Sequence, residues 1–182
     1  PGLIAAGAKA VIVGPKGRRE VPVEDVVTGV RKLSLTKGEF VASFVLPPKG
    51  KHAGDAYLRF IPRTEMDIAV VGCGVALTLD DSGTCTAARI VLGAVAERAV
   101  VVADAAKALV GSKVDAAAIE KAASACSAAC RPIDDKRGTK EFRIKVAGVP
   151  ARRTIAHDLA RAQGKPALLN TTDGADERTR VA

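Results

Sequence analysis

Residues 68–79 read Ile-Ala-Val-Val-Gly-Cys-Gly-Val-Ala-Leu-Thr-Leu, an apolar run without a charge. The run is too short to cross a bilayer, which takes about 20 apolar residues as a helix. Its β-branched residues and glycines favour a buried strand over a helix. Asp80-Asp81-Ser82-Gly83 follows and is a turn signal. Thr84 to Leu92 then returns as an antiparallel partner. The chain must therefore be built around an antiparallel hairpin with a buried first arm.

Other elements are arranged around that hairpin. Residues 1–14 predict a short helical lead-in and a strand from Ala10 to Val13. Gly14-Pro15-Lys16-Gly17 is a tight turn, Arg18 to Val23 returns, and Val23–Val27 makes one helical turn. Glu39 to Leu46 is a strand stopped by Pro47-Pro48. The stretch from Pro47 to Gly54 is a linker by composition, and a domain boundary is expected there. Tyr57 to Ile61 is extended. Ala99 to Val110 predicts a helix ending at Gly111, and Asp115 to Cys130 a second one with Asp115 as N-cap. Residues 139–162 predict a longer helix with a basic face, bent near Gly148 and Pro150. The polar tail is expected to be mobile.

The 182 residues are 48% hydrophobic, so the chain can bury a core without a metal or disulfide staple. It starts at Pro1, with neither an initiator Met nor a signal-peptide pattern, so a fragment or processed chain is expected. The net charge of +8 raises a nucleic-acid reading. The cations are spread along the chain, however, and the aromatics for stacking are only Phe40, Phe44, Tyr57, Phe60 and Phe142. No nucleic-acid partner and no membrane span are expected. The cysteines at 73, 85, 126 and 130 have no CxxC-type spacing. They read as small buried thiols in a reducing cytoplasm.

No catalytic motif stands out. Gly72-Cys73-Gly74 lacks the third glycine of a dinucleotide loop, since position 77 is Leu. Close packing against a helix explains these glycines better. His52 and His157 have no triad partners at a suggestive spacing. Asp80-Asp81 and Asp134-Asp135 read as turn formers and caps.

Three blocks carry a family resemblance. The first is Thr28-Gly29-Val30-Arg31-Lys32 leading into Gly38-Glu39-Phe40-Val41. The second runs from Ala56-Tyr57-Leu58-Arg59-Phe60 through Glu65-Met66-Asp67-Ile68-Ala69. The third is Ala88-Arg89-Ile90-Val91-Leu92-Gly93-Ala94-Val95-Ala96, with Arg131-Pro132-Ile133-Asp134-Asp135 and Arg137-Gly138 behind it. Over residues 1–162 the chain resembles the C-terminal part of the FAD-binding medium subunit of the molybdenum hydroxylases, of xanthine dehydrogenase and aerobic carbon monoxide dehydrogenase type.

The resemblance implies an α+β chain. Residues 1–48 would be the end of an FAD-binding domain and 49–54 a linker. Residues 55–162 would be a small domain of antiparallel sheet packed by helices, and 163–182 a mobile tail. It implies a role in passing electrons from [2Fe–2S] clusters through FAD to an external acceptor. Partners would be a small iron–sulfur subunit and a large molybdopterin subunit. Two cofactor-binding positions are implied. Val41 would shield the flavin, and Arg59 stands where the family carries Lys, keeping the charge with a different geometry. On the residues alone, Val41 suits plain strand packing and Arg59 an interdomain ion pair. Phe60 to Asp67 would lie near the flavin. The family's two Gly-rich pyrophosphate loops match nothing in this chain. The alternative is a non-catalytic interaction domain of the same fold that does not bind FAD.

Overall fold

The computed structural model describes residues 1–63 and 67–165. Its architecture is α+β. The strand order of its largest sheet is sequential, so hairpins build that sheet. A four-stranded antiparallel sheet joins β6 (Ala53–Phe60), β7 (Val71–Leu79), β8 (Cys85–Gly93) and β9 (Val100–Val101) in that order. A three-stranded sheet has the order β2-β1-β5, formed by β1 (Lys9–Gly14), β2 (Gly17–Pro22) and β5 (Phe40–Val45). A small hairpin of β3 (Val27–Gly29) and β4 (Lys32–Leu33) stands between β2 and β5 in the chain. The sequence reading missed it, because its turn passes through Arg31 at φ 55° with no glycine there to signal it.

The inner face of the four-stranded sheet carries the core. Alternation along β7 sends Cys73, Val75, Leu77 and Leu79 inward, and along β8 it sends Ile90 and Leu92 the same way. Three helices cover them: α2 (Ala103–Leu109), α3 (Ala116–Ala129) and α4 (Lys140–Ala162). Asp115 caps α3 as predicted, its carboxylate accepting from the Ala118 amide at 2.8 Å. Thr139 does the same for α4 through the Phe142 amide. Small residues let the helices approach closely. Ala147 and Ala151 are fully buried on α4 beside Ile155. Gly148 faces α3, and a Cβ there would stand 3.2 Å from Ser127 Oγ. Each fully buried large aliphatic, such as Ile90 or Ile155, contributes about 1.5–3 kcal/mol.

Several expectations need correction. The helix expected over Ala99–Val110 is shorter. Val100 and Val101 instead pair with Leu92 and Val91 as β9, and α2 starts at Ala103. Two β-branched residues beside an open sheet edge prefer the ladder over a first helical turn. Ala53 and Gly54, read as linker, open β6 opposite Thr78 and Leu77. The long helix expected over 139–162 is present as α4, with Pro150 in its interior. The expected tail lies outside the described residues from 166 onward.

Helix α1 (Gly2–Ala5) crosses the outer face of the four-stranded sheet. Ile4 and Ala5 bury Val91 there, with Val23 and Ala99 alongside. Arg89 on β8 pairs with Glu24 and ties the turn at Val23–Asp25 to this face. In the three-stranded sheet, β5 is an edge strand, with Phe40, Phe44, Val45 and Leu46 in and beyond it all exposed.

Candidate functional site

Register decides what shares a face, because residues opposite one another across a ladder point the same way. Asp55, Tyr57 and Arg59 lie opposite Ala76, Gly74 and Gly72. Gly72 lies in turn opposite Gly93. The row beside Arg59 therefore has no side chain on either of the next two strands. Gly74 adds a third gap one step along. These gaps are used. A Cβ on Gly72 would stand 2.7 Å from the Tyr57 hydroxyl. One on Gly74 would meet the Pro1 carbonyl oxygen at 2.9 Å, and one on Gly93 would meet Pro1 Cγ at 2.6 Å. The result is a glycine floor carrying the Tyr57 ring and the start of α1, with Arg59 exposed at its side.

Arg59 donates to the Asp67 carbonyl at 3.4 Å. Asp67 is held in turn by Arg63 and by the Ile68 amide. The Arg63 guanidinium keeps the Asp67 carboxyl below the usual carboxylate range. Burial raises the pKa of the Tyr57 hydroxyl, and the nearby Arg59 charge opposes that rise. Thr64, Glu65 and Met66 lie outside the described residues. Tyr57 is not among the cofactor-binding positions that the family resemblance implies. The signal for its placement was the spacing of Gly72 and Gly74, since a period of two puts both glycines on one strand face.

Val41 lies on the other sheet. A β-bulge in β5 pairs Ile12 with Val41 and Ala10 with Phe44, so Val41 and Phe44 share a face despite their odd spacing. Val41 is half-buried and Phe44 exposed. The Gly38-Glu39 motif fixes the start of this strand. Gly38 sits at φ +86°, and a Cβ on Gly14 would stand 2.6 Å from Glu39 Cγ. Arg19 donates to both Glu39 carboxylate oxygens at 2.9 Å, and the Thr36 amide donates at 2.7 Å.

These bonds hold the Glu39 carboxyl down to about 2, the Arg19 guanidinium being the main cause. A depressed carboxylate contributes stability above its ordinary value, here 4.5, and loses it as pH falls toward about 2. Glu39→Gln should therefore flatten the acid limb of the stability profile across that window. Identical acid limbs for the two chains in equilibrium unfolding would contradict the assignment.

The last motif is structural. Asp135 accepts two bonds from Arg143, and Asp134 accepts from the Lys140 amide at the start of α4. This agrees with their reading as turn formers and caps. Asp80 likewise accepts from Ser82 and Thr84 in the β7–β8 turn. All four cysteines are free and buried. Burial pushes the Cys73 thiol up to about 12 and Cys130 to about 11, so neither is a thiolate near neutrality. Among the described residues no group of three or more His, Cys, Asp or Glu side chains could hold a metal ion. No helix among them is long and apolar enough to cross a membrane.

The arrangement has known relatives. The carbon monoxide dehydrogenase medium chain of Afipia carboxidovorans is 34% identical over 157 residues, covering 86% of this chain and 54% of that protein. The xanthine dehydrogenase FAD-binding subunit of Escherichia coli O157:H7 is 29% identical over 159 residues, covering 87% and 54%. A chain of carbon monoxide dehydrogenase from Hydrogenophaga pseudoflava superposes with a TM-score of 0.81 at 32% identity, covering 87% and 54%. The chain thus spans about half the length of these relatives. A family model for the CO dehydrogenase flavoprotein C-terminal domain matches residues 56–157, from the strand that carries Tyr57 and Arg59 to the last turns of α4. On sequence and fold together, the chain belongs to the CO dehydrogenase flavoprotein C-terminal domain family.

Proposed function

We propose that this chain is part of the flavin-binding, electron-transfer subunit of a molybdopterin-containing hydroxylase or dehydrogenase. The observation that carries the reading is the glycine floor beside Arg59 and Tyr57. The floor seats the Tyr57 ring beside the exposed Arg59, and a cation next to an aromatic ring suits a planar anionic cofactor. The residues present fit FAD in that sense. When bound, FAD supplies the redox chemistry, exchanging electrons between an iron–sulfur donor and an external acceptor.

The chain's own part is positioning. Arg59 places a positive charge next to the Tyr57 ring, and the glycines let that ring and Pro1 pack close to the sheet. Val41 and Phe44 offer apolar cover from the second sheet. The exposed row Phe40, Phe44, Val45 and Leu46 on an unpaired edge suits burial under the remainder of such a subunit. We assign residues 1–48 to the end of the FAD-binding domain, 49–52 to a linker, shortened because Ala53 and Gly54 open β6, 53–162 to the C-terminal domain and 163–182 to a tail. The family match at 56–157 supports the third of these spans. The partners would be a small [2Fe–2S] subunit and a large molybdopterin subunit, in the cytoplasm, where four free buried thiols are at home.

Removal of FAD from the complete complex should abolish electron delivery to its acceptor while reductant still bleaches the clusters. Added FAD should restore delivery. Unchanged delivery after flavin removal would defeat the electron-transfer reading and favour an interaction domain of the same fold.

A further inference from the structure

Asp158 is out of keeping with its position. It lies on the buried stripe of α4, with Ala147, Ala151 and Ile155 before it and Ala162 after it. The residue is 0% exposed. Neither carboxylate oxygen has a hydrogen-bond partner. The contact beneath it is as tight as a backbone allows: a Cβ on Gly54 would stand 2.0 Å from Asp158 Oδ1 and 2.8 Å from the Asp158 carbonyl oxygen. No side chain fits between α4 and β6 at that point.

The charges around it do not neutralise it. Asp55 on β6 repels a second negative charge. Lys49, which attracts it, is paired with Asp55 at 2.8 Å. Arg161, one turn along α4, donates to the Asp55 carbonyl. Cys85 on β8 is the other titratable group within its field. The Leu77 amide on β7 favours the charged form without reaching hydrogen-bond geometry. An ionised carboxylate at this place would lose its hydration and gain no bond in return.

We propose that Asp158 is a proton-operated latch, seated as the neutral acid while the C-terminal end of α4 rests on the first residues of β6, and loosening that seat when it ionises. Burial, followed by the Asp55 charge, accordingly raises its pKa from 3.8 to about 7. The sign follows. Below about 4 both folded and unfolded chains hold the proton. Between about 4 and 7 only the folded chain does, so its stability falls as pH rises, by about tenfold in the unfolding constant per pH unit. Above about 7 the loss is complete, at roughly 1000-fold. The latch sits at the junction of the 46–52 segment with the sheet, so ionisation would loosen the strand end into which that segment runs.

The test is urea unfolding of the full chain and of Asp158→Asn across this pH range. The amide keeps the shape and cannot ionise. The ratio of unfolding constants, wild type over variant, should climb about tenfold per pH unit from about 4 to 7 and then level off. A ratio constant with pH would overturn the proposal. Carbon-13 titration of the Asp158 carboxyl in the unsubstituted chain decides the matter even if the variant does not fold. A midpoint near 7 supports the latch, and one in the ordinary aspartate range overturns it. Asp55→Asn should lower that midpoint, because it removes the neighbouring negative charge.

Discussion

Replacing Arg59 with Glu in the complete subunit should weaken FAD retention by roughly 30- to 150-fold, about 2–3 kcal/mol, because an attraction to an anionic cofactor becomes a repulsion at a partly solvated site. The expectation rests on where Arg59 stands. It projects from the face of β6 that also carries Tyr57, opposite Gly72 and in line with Gly93. The Tyr57 ring and Pro1 cover the glycines of that row, and Arg59 stands exposed beside them. Arg59→Met should lose about half as much free energy as the reversal, since it removes the attraction without adding repulsion. Arg59→Lys keeps the charge, in the form that the family resemblance implies, and should retain most of the flavin. Fluorescence titration of the deflavinated subunit gives all three numbers. Equal affinity for Arg59→Glu and the unsubstituted subunit would remove Arg59 from the site and leave it as a strand-end contact to the Asp67 carbonyl.

The largest stability effect is expected at Arg143. Its guanidinium is buried at 4% exposure in α4. Nη1 donates to the Val70 carbonyl at 2.8 Å and to the Ala94 carbonyl at 2.9 Å. Nη2 donates to both oxygens of Asp135 at 2.7 and 2.8 Å. One side chain thus joins the entry to β7, the exit from β8 and the turn before α4. Arg143→Met keeps the apolar stem and deletes the donors, leaving the buried Val70 carbonyl and the Ala94 carbonyl without this partner and Asp135 with the Arg137 amide and no ion pair. The expected cost is about 3–5 kcal/mol. In a chain of this size that lowers the melting temperature by roughly 10 °C. Arg143→Lys should recover only part of it, because one ammonium cannot replace a planar fork. A loss below about 1 kcal/mol for Arg143→Met would mean these bonds are exchanged for water at no net cost.

What the sequence could reveal followed from local chemistry. The apolar run 68–79 and its Asp-Ser-Gly turn specified β7 and β8, because a buried strand and a tight turn are both written in adjacent residues. Asp115 as a cap and Pro47-Pro48 as a strand end were legible for the same reason. The β3–β4 hairpin was not legible, since Arg31 adopts a conformation usually left to glycine. Nor was β9: Val100-Val101 borders an Ala-rich run, and only the neighbouring edge of β8 makes it a strand.

The candidate site was legible by halves. Arg59 and Val41 came from motif resemblance, and the structure places them on two different sheets. The glycine floor depends on register between three strands, which no linear reading contains. Gly54 looked like linker composition, whereas it is the point where α4 touches β6. Asp158 carried no signal at all, because an acid in a basic helix reads as a solvated residue.

The central claim is that this chain works as part of a flavoprotein subunit. It is tested most directly by isolating the native protein that carries this chain, recording its visible absorbance, and measuring the intact mass of every chain present. The account predicts the spectrum of bound oxidised flavin, FAD released on denaturation in a one-to-one ratio with this chain, and partner chains bearing iron–sulfur and molybdopterin centres. A colourless preparation of full-length protein that takes up no added FAD would contradict it.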